Sequence, residues 1–272
     1  MYVALSQIAF LVGAAGYLGA TVVSFAHLVR RTAPPRSAAW LLGVGGACHL
    51  AFLLFASLLA RVCPVESVHV ALSAAILVTI GAYLAARVRF RLDAVGAFVA
   101  PIALAFLLGT RIIGLDAEAR GRIPPMFLTL HVAANLVGDA LFLLASVTAG
   151  LYLYAERQLK HKRSRAIAGR LPPLDALDRA EHRFLLVGFP LLTLGIVTGT
   201  AWAHKLEAGT ASEVLRAALG YLSWAVFAGV LLLRAAAGWR GRRAAVGTLV
   251  GFAVSVLVVV VYLVRQSPGG PS

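Results

Sequence analysis

Cysteine is nearly missing from this chain: two occur among 272 residues, Cys48 and Cys63. On one helix they lie ~22 Å apart at a rise of 1.5 Å per residue, far beyond the reach of a disulfide. No CxxC occurs, which excludes thioredoxin-like redox chemistry. Charge is scarce as well. Only 11 residues are acidic and 13% are Asp, Glu, Lys or Arg, roughly half of the ~25% typical of a globular domain. The motifs of soluble catalysis are absent too, with no phosphate-binding GxxxxGK(S/T), no HExxH and no GxSxG. A single ExxH, Glu66 with His69, falls short of the two such pairs and further glutamates of a di-iron bundle.

What remains is apolar surface: 60% of the residues are hydrophobic and the mean hydropathy is +0.87. Spanning a hydrocarbon core of ~30 Å takes ~20 apolar residues in a helix, because every backbone N–H and C=O must be satisfied within the segment. About eight such runs can be drawn, over 4–28, 38–60, 65–86, 93–113, 125–155, 184–204, 215–234 and 244–264. The expected fold is all-α, a polytopic transmembrane helical bundle forming one domain over 1–272, with no separate soluble domain. The amino terminus lacks the basic stretch of a cleavable signal peptide, so its apolar run reads as a retained first helix.

Lys and Arg fix the expected orientation, since short loops rich in them stay cytoplasmic. Alternate loops carry Arg30, Arg31 and Arg36; Arg87, Arg89 and Arg91; the run from Arg157 to Arg183; and Arg234, Arg240, Arg242 and Arg243. They hold 18 of the 25 basic residues, which puts both termini outside and the chain in the cytoplasmic (inner) membrane as a multi-pass protein. The net charge of +14 follows from this bias and calls for no nucleic-acid partner. The long cytoplasmic connection, Glu156 to Arg183, opens as a polybasic surface suited to anionic lipid. Its second part, from Pro172 and Pro173 through Asp175 and Asp178, reads as an interfacial helix and as an alternative docking site for a cytoplasmic partner.

Polar groups inside a bilayer are costly and mark function. His49 falls mid-way along the second run and Asp139 mid-way along the fifth, while His69, His131 and His204 fall at or near the outer ends of the third, fifth and sixth. Asp139 is expected to hydrogen-bond His49 or to be protonated. Three histidines on one face, with a fourth deeper, suit axial ligation of haem iron, in which two imidazoles from antiparallel helices hold the macrocycle. Gly45, Gly46 and Gly138 either clear space for a planar ring or serve close helix packing, the role given to Gly195 and Gly199.

Three segments carry a family resemblance: LHVAANLVGDALFLLASVTAGLYLYAERQLK, LPPLDALDRAEHRFLLVGFPLLTLGIVTGTAWA and SWAVFAGVLLLRAAAGWRGRRAAVGTLVGF. Together they resemble the cytochrome c assembly proteins of the CcsA, CcmC and HemX type over about 130–264. CPVESVHVAL is a fainter echo of the family's entry to its third helix. The resemblance implies a haem-handling protein that delivers or senses haem for cytochrome c maturation or haem homeostasis, a carrier rather than an enzyme. It also implies that His131 is the outer haem-ligand histidine. The tryptophan-rich WGxxWxWD loop of full members is absent, because AHKLEAGTASEVLRAAL follows Trp202. A second outer histidine is missing after the last helix, and Leu233 stands where full members place another helix-borne histidine. The short HemX and YpjD-like branch is therefore the nearer one, and a YpjD-like protein also has a histidine where His204 stands.

The expected haem b site pairs His131 with His204, with His69 as substitute partner and His49 as ligand of a separate, deeper haem. Trp202 anchors its helix at the outer interface. Two other readings stay open. In one, a HemX-like regulator binds a cytoplasmic haem-synthesis enzyme through the 156–183 loop without holding haem. In the other, a metal or ion transporter uses His49 and Asp139.

Overall fold

The computed structural model describes residues 2–30, 36–60, 68–90, 92–113, 125–160, 171–203 and 211–266. Eight α-helices account for nearly all of them: α1 (Tyr2–Arg30), α2 (Arg36–Ala60), α3 (Val68–Phe90), α4 (Gly96–Ile113), α5 (Pro125–Lys160), α6 (Leu174–Ala203), α7 (Ala211–Ala236) and α8 (Arg242–Gln266). A 3-10 turn, Asp93–Val95, leads into α4, and no strand occurs among the described residues. All eight helices are long and apolar enough to cross a membrane, so the chain is an all-helical multi-pass membrane protein. Each apolar run of the sequence became one helix because the helix alone satisfies a segment's backbone internally. Pro101 in α4 and Pro190 in α6 each remove one backbone donor without ending their helix.

One boundary differs from expectation. The segment after Pro173 is no separate interfacial helix: Leu174 begins a helix that runs unbroken to Ala203. Leu177, Ala180 and Glu181 are fully buried, so the first turns of α6 belong to the bundle interior. Glu156 to Lys160, expected in the connection, continue α5 instead. Residues 161–170 lie outside the described residues.

α1 lies along α2 and against α4, while α5 lies along α6 and also meets α8; α3 bridges the halves by touching both α4 and α5. Small residues set the closest approaches, as van der Waals contact between helices in lipid requires. A Cβ on Gly16 would lie 3.0 Å from Cα of Gly45, and one on Gly45 would lie 2.7 Å from the ring of Tyr17. A Cβ on Gly138 would meet the backbone of α6 at Leu192 and Gly188, at 3.5 and 3.6 Å. Gly45 and Gly138 thus serve helix packing, and Gly46 faces Ile80 and Leu77 of α3. Phe142 of α5 stacks on Phe227 of α7 with centroids 4.1 Å apart, tying the C-terminal helices together.

Candidate functional site

His131, in the second turn of α5, faces α6. Its Nδ1 is 3.0 Å from Oγ1 of Thr198, and its Nε2 is 3.2 Å from Nδ2 of Asn135, one turn further along α5. The hydroxyl of Thr198 donates to the carbonyls of Leu194 and Gly195 at 2.7 and 3.0 Å, so towards His131 it acts as acceptor. Nδ1 then carries the proton. The lone pair of Nε2 accepts from the Asn135 amide, whose other N–H goes to the His131 carbonyl at 2.9 Å. Imidazole ligands usually carry such a hydrogen bond on the other ring nitrogen, which fixes the tautomer and leaves Nε2 basic.

Two glycines of α6 make room for this arrangement. A Cβ on Gly199 would come within 3.1 Å of Cε1 of His131, and one on Gly195 would overlap the amide of Asn135. The pair does pack helices together, and it does so by seating a histidine and an asparagine. The i, i+4 spacing of His131 and Asn135 is visible in the sequence; their meeting with Thr198 depends on the α5–α6 register.

The other predicted residues are distributed differently. His204 lies outside the described residues, as do the side chains of His69 and Trp202. His49 is completely buried between α1 and α2. Its Nδ1 and the hydroxyl of Tyr17 are in hydrogen-bonding contact at 3.1 Å, with the rings edge to face, and its Nε2 has no partner among the described residues. The expected hydrogen bond between Asp139 and His49 does not form. α2 packs on α1, α3 and α4, whereas α5 packs on α3, α6 and α8, so the two side chains belong to different seams. Asp139 is half-buried and makes no hydrogen bond or ion pair among the described residues. No cluster of three or more His, Cys, Asp or Glu suited to a metal ion occurs there either.

Sequence reading missed a polar corner at the opposite end of α6. Nη2 of Arg234 on α7 pairs with Oδ2 of Asp178 at 2.6 Å and donates to its carbonyl at 3.1 Å. Oδ1 of Asp178 accepts the N–H of Gly241 at 2.8 Å, and Thr248 of α8 donates to Glu181 at 2.7 Å. Gly238 and Gly241 take φ of +66° and +63°, the left-handed region that turns α7 into α8. A Cβ at Gly241 would also lie 2.5 Å from the hydroxyl of Tyr152. This corner fastens α5, α6, α7 and α8 to one another.

The chain is similar to the cytochrome c biogenesis protein CcsA of Synechococcus elongatus, 40% identical over 80 residues, covering 29% of this chain and 25% of that protein. It is likewise similar to CcsA of Gloeothece citriformis, 38% identical over 94 residues, covering 35% of this chain and 28% of the relative. CcsA of a Synechocystis species is 38% identical over 85 residues, 31% of this chain and 25% of the relative. The matched part thus spans about a quarter of these relatives' own length. No solved structure matches. The family model for cytochrome c assembly proteins matches residues 46–267, taking in the 130–264 stretch and reaching back into α2, and the chain belongs to that family.

Proposed function

We propose that this protein handles haem in the membrane for cytochrome c maturation, with His131 as a ligand of haem b at the outer face. The observation that supports the reading most directly is the state of His131: its Nδ1 is held by Thr198, and Nε2, the nitrogen an iron would take, rests on an exchangeable amide. When bound, haem would supply an iron that imidazole nitrogens can hold. The chain supplies the rest. Thr198 orients the ring, Gly199 admits it to the face of α6, and Asn135 caps Nε2 until a ligand displaces it. His204, which follows the last residue of α6 in the sequence, would be the second ligand, with His69 in the first turn of α3 as substitute. His49, sealed between α1 and α2, would require a separate, deeper haem. The role is that of a carrier, and apocytochrome c or another assembly factor is its partner.

An absorption spectrum of the detergent-purified protein tests this. The parent should show a six-coordinate low-spin b-type spectrum, and His131→Ala and His204→Ala should each lose it or shift it to five-coordinate. A spectrum unchanged in both, but abolished by His49→Ala or His69→Ala, moves the site to α2 and α3. Placement at the outer face has its own test: a periplasmic reporter fused after Ser272 should be active, and one fused between Arg157 and Arg183 silent.

A further inference from the structure

The start of α2, the end of α3 and the 3-10 turn before α4 border an open surface cavity of about 520 Å³, lined by Arg36, Ala39, Trp40, Arg87, Val88 and Asp93. Its charges are unevenly used. Arg87 donates to Oδ1 of Asp93 through Nη2 at 2.6 Å and Nε at 3.2 Å, so that pair is neutral. Arg36 makes no hydrogen bond or ion pair among the described residues, which leaves one uncompensated positive charge facing the cavity. The first-turn N–H groups of α2, from Arg36 onwards, also lack helical acceptors. A smaller recess continues from the same wall past Ala39, Arg87 and Asp93 to His27, whose Nδ1 is buried without a hydrogen-bond partner among the described residues.

The rim is apolar and outward-facing. Trp40 is 74% exposed and Val88 is 82% exposed, although both stand beside arginines at the ends of membrane-spanning helices. A tryptophan so placed is at headgroup depth, with hydrocarbon on one side and water on the other. The cavity therefore opens where a lipid's phosphate meets its glycerol.

We propose that this cavity binds the phosphodiester headgroup of an anionic glycerophospholipid. The guanidinium of Arg36 and the first-turn N–H groups of α2 take the phosphate, whose single negative charge matches the one that Arg36 carries without a partner among the described residues. The carboxylate of Asp93, with one oxygen engaged by Arg87, accepts a headgroup hydroxyl on the other. Trp40 and Val88 lie along the glycerol and the first methylenes. The site shares no residue with the surroundings of His131, so it stands or falls apart from the haem reading.

Native mass spectrometry of the full chain in detergent tests this, with phosphatidylglycerol and phosphatidylcholine offered together. The parent should retain phosphatidylglycerol preferentially, and Arg36→Gln should lower that preference about fivefold, the effect of one basic residue at a lipid surface. Trp40→Ala should shorten retention of either lipid, while Arg243→Gln, an exposed arginine at the start of α8, should change nothing. Undiminished preference in Arg36→Gln, or equal retention of the two lipids by the parent, overturns the proposal. So does displacement of phosphatidylglycerol by equimolar inorganic phosphate, which would make free phosphate the ligand.

Discussion

The two ends of α6 treat polar side chains in opposite ways. At its start, Asp178 and Glu181 are buried; Asp178 is bound by the guanidinium of Arg234 on α7 and the backbone N–H of Gly241 in the α7–α8 turn, and Glu181 accepts from Thr248 of α8. Near its end, Thr198 meets His131 through neutral hydrogen bonds, and the imidazole is only partly covered. An ion pair inside a low-dielectric bundle is costly to break from one side, whereas a neutral amide on a half-buried imidazole is readily exchanged for a ligand. The first end has the character of a fastening, and the second is where the haem site is proposed.

Breaking the fastening should have the largest effect. Arg234→Ala leaves Asp178 buried without its cation and should cost about 3–5 kcal/mol, seen as a lower thermal midpoint in detergent. The pairing of Arg234→Met with Asp178→Asn should recover much of that loss, and failure to recover would mean that the arginine acts on something other than Asp178.

Gly241→Ala comes next. A side chain at φ +63° costs about 1–3 kcal/mol and meets Tyr152 as well. Adding Tyr152→Phe should return part of the loss, because it removes the oxygen that the new methyl meets, but not the backbone share.

Tyr17→Phe should cost about 1 kcal/mol, because Nδ1 of His49 loses its hydrogen-bond partner in a sealed seam. The absorption spectrum should stay that of the parent. A changed spectrum would place His49, not His131, nearest the haem.

The smallest effect on stability is expected at the open end. Thr198→Val should shift the midpoint by less than Tyr17→Phe does, yet weaken haem retention about 10–100-fold by freeing the ring of His131. If stability falls and haem retention does not, the α6 end is a fastening like the other, and the contrast between them fails.

Much of the fold was legible in composition and spacing. Eight apolar runs became eight helices because a bilayer admits few other solutions for an unbroken hydrophobic segment. The start of α6 was misread because Asp175, Asp178, Arg179 and Glu181 look like a solvated surface in one dimension. Only Asp175 and Arg179 behave that way, forming an exposed pair one turn apart. Asp178 and Glu181 fall on the other side of the helix, where Arg234 and Thr248 await them from more than fifty residues away.

The sequence by itself determined the class of the protein and its helices, because hydropathy is a local property, while His131 was singled out by the family resemblance. Which polar groups meet was decided only by the tertiary structure. His49 turned to Tyr17 instead of Asp139, and His131 was set between Asn135 and Thr198. Those choices depend on which helices are neighbours and on their register, and that is settled by small residues such as Gly16, Gly45, Gly195 and Gly199, whose contacts lie on other helices.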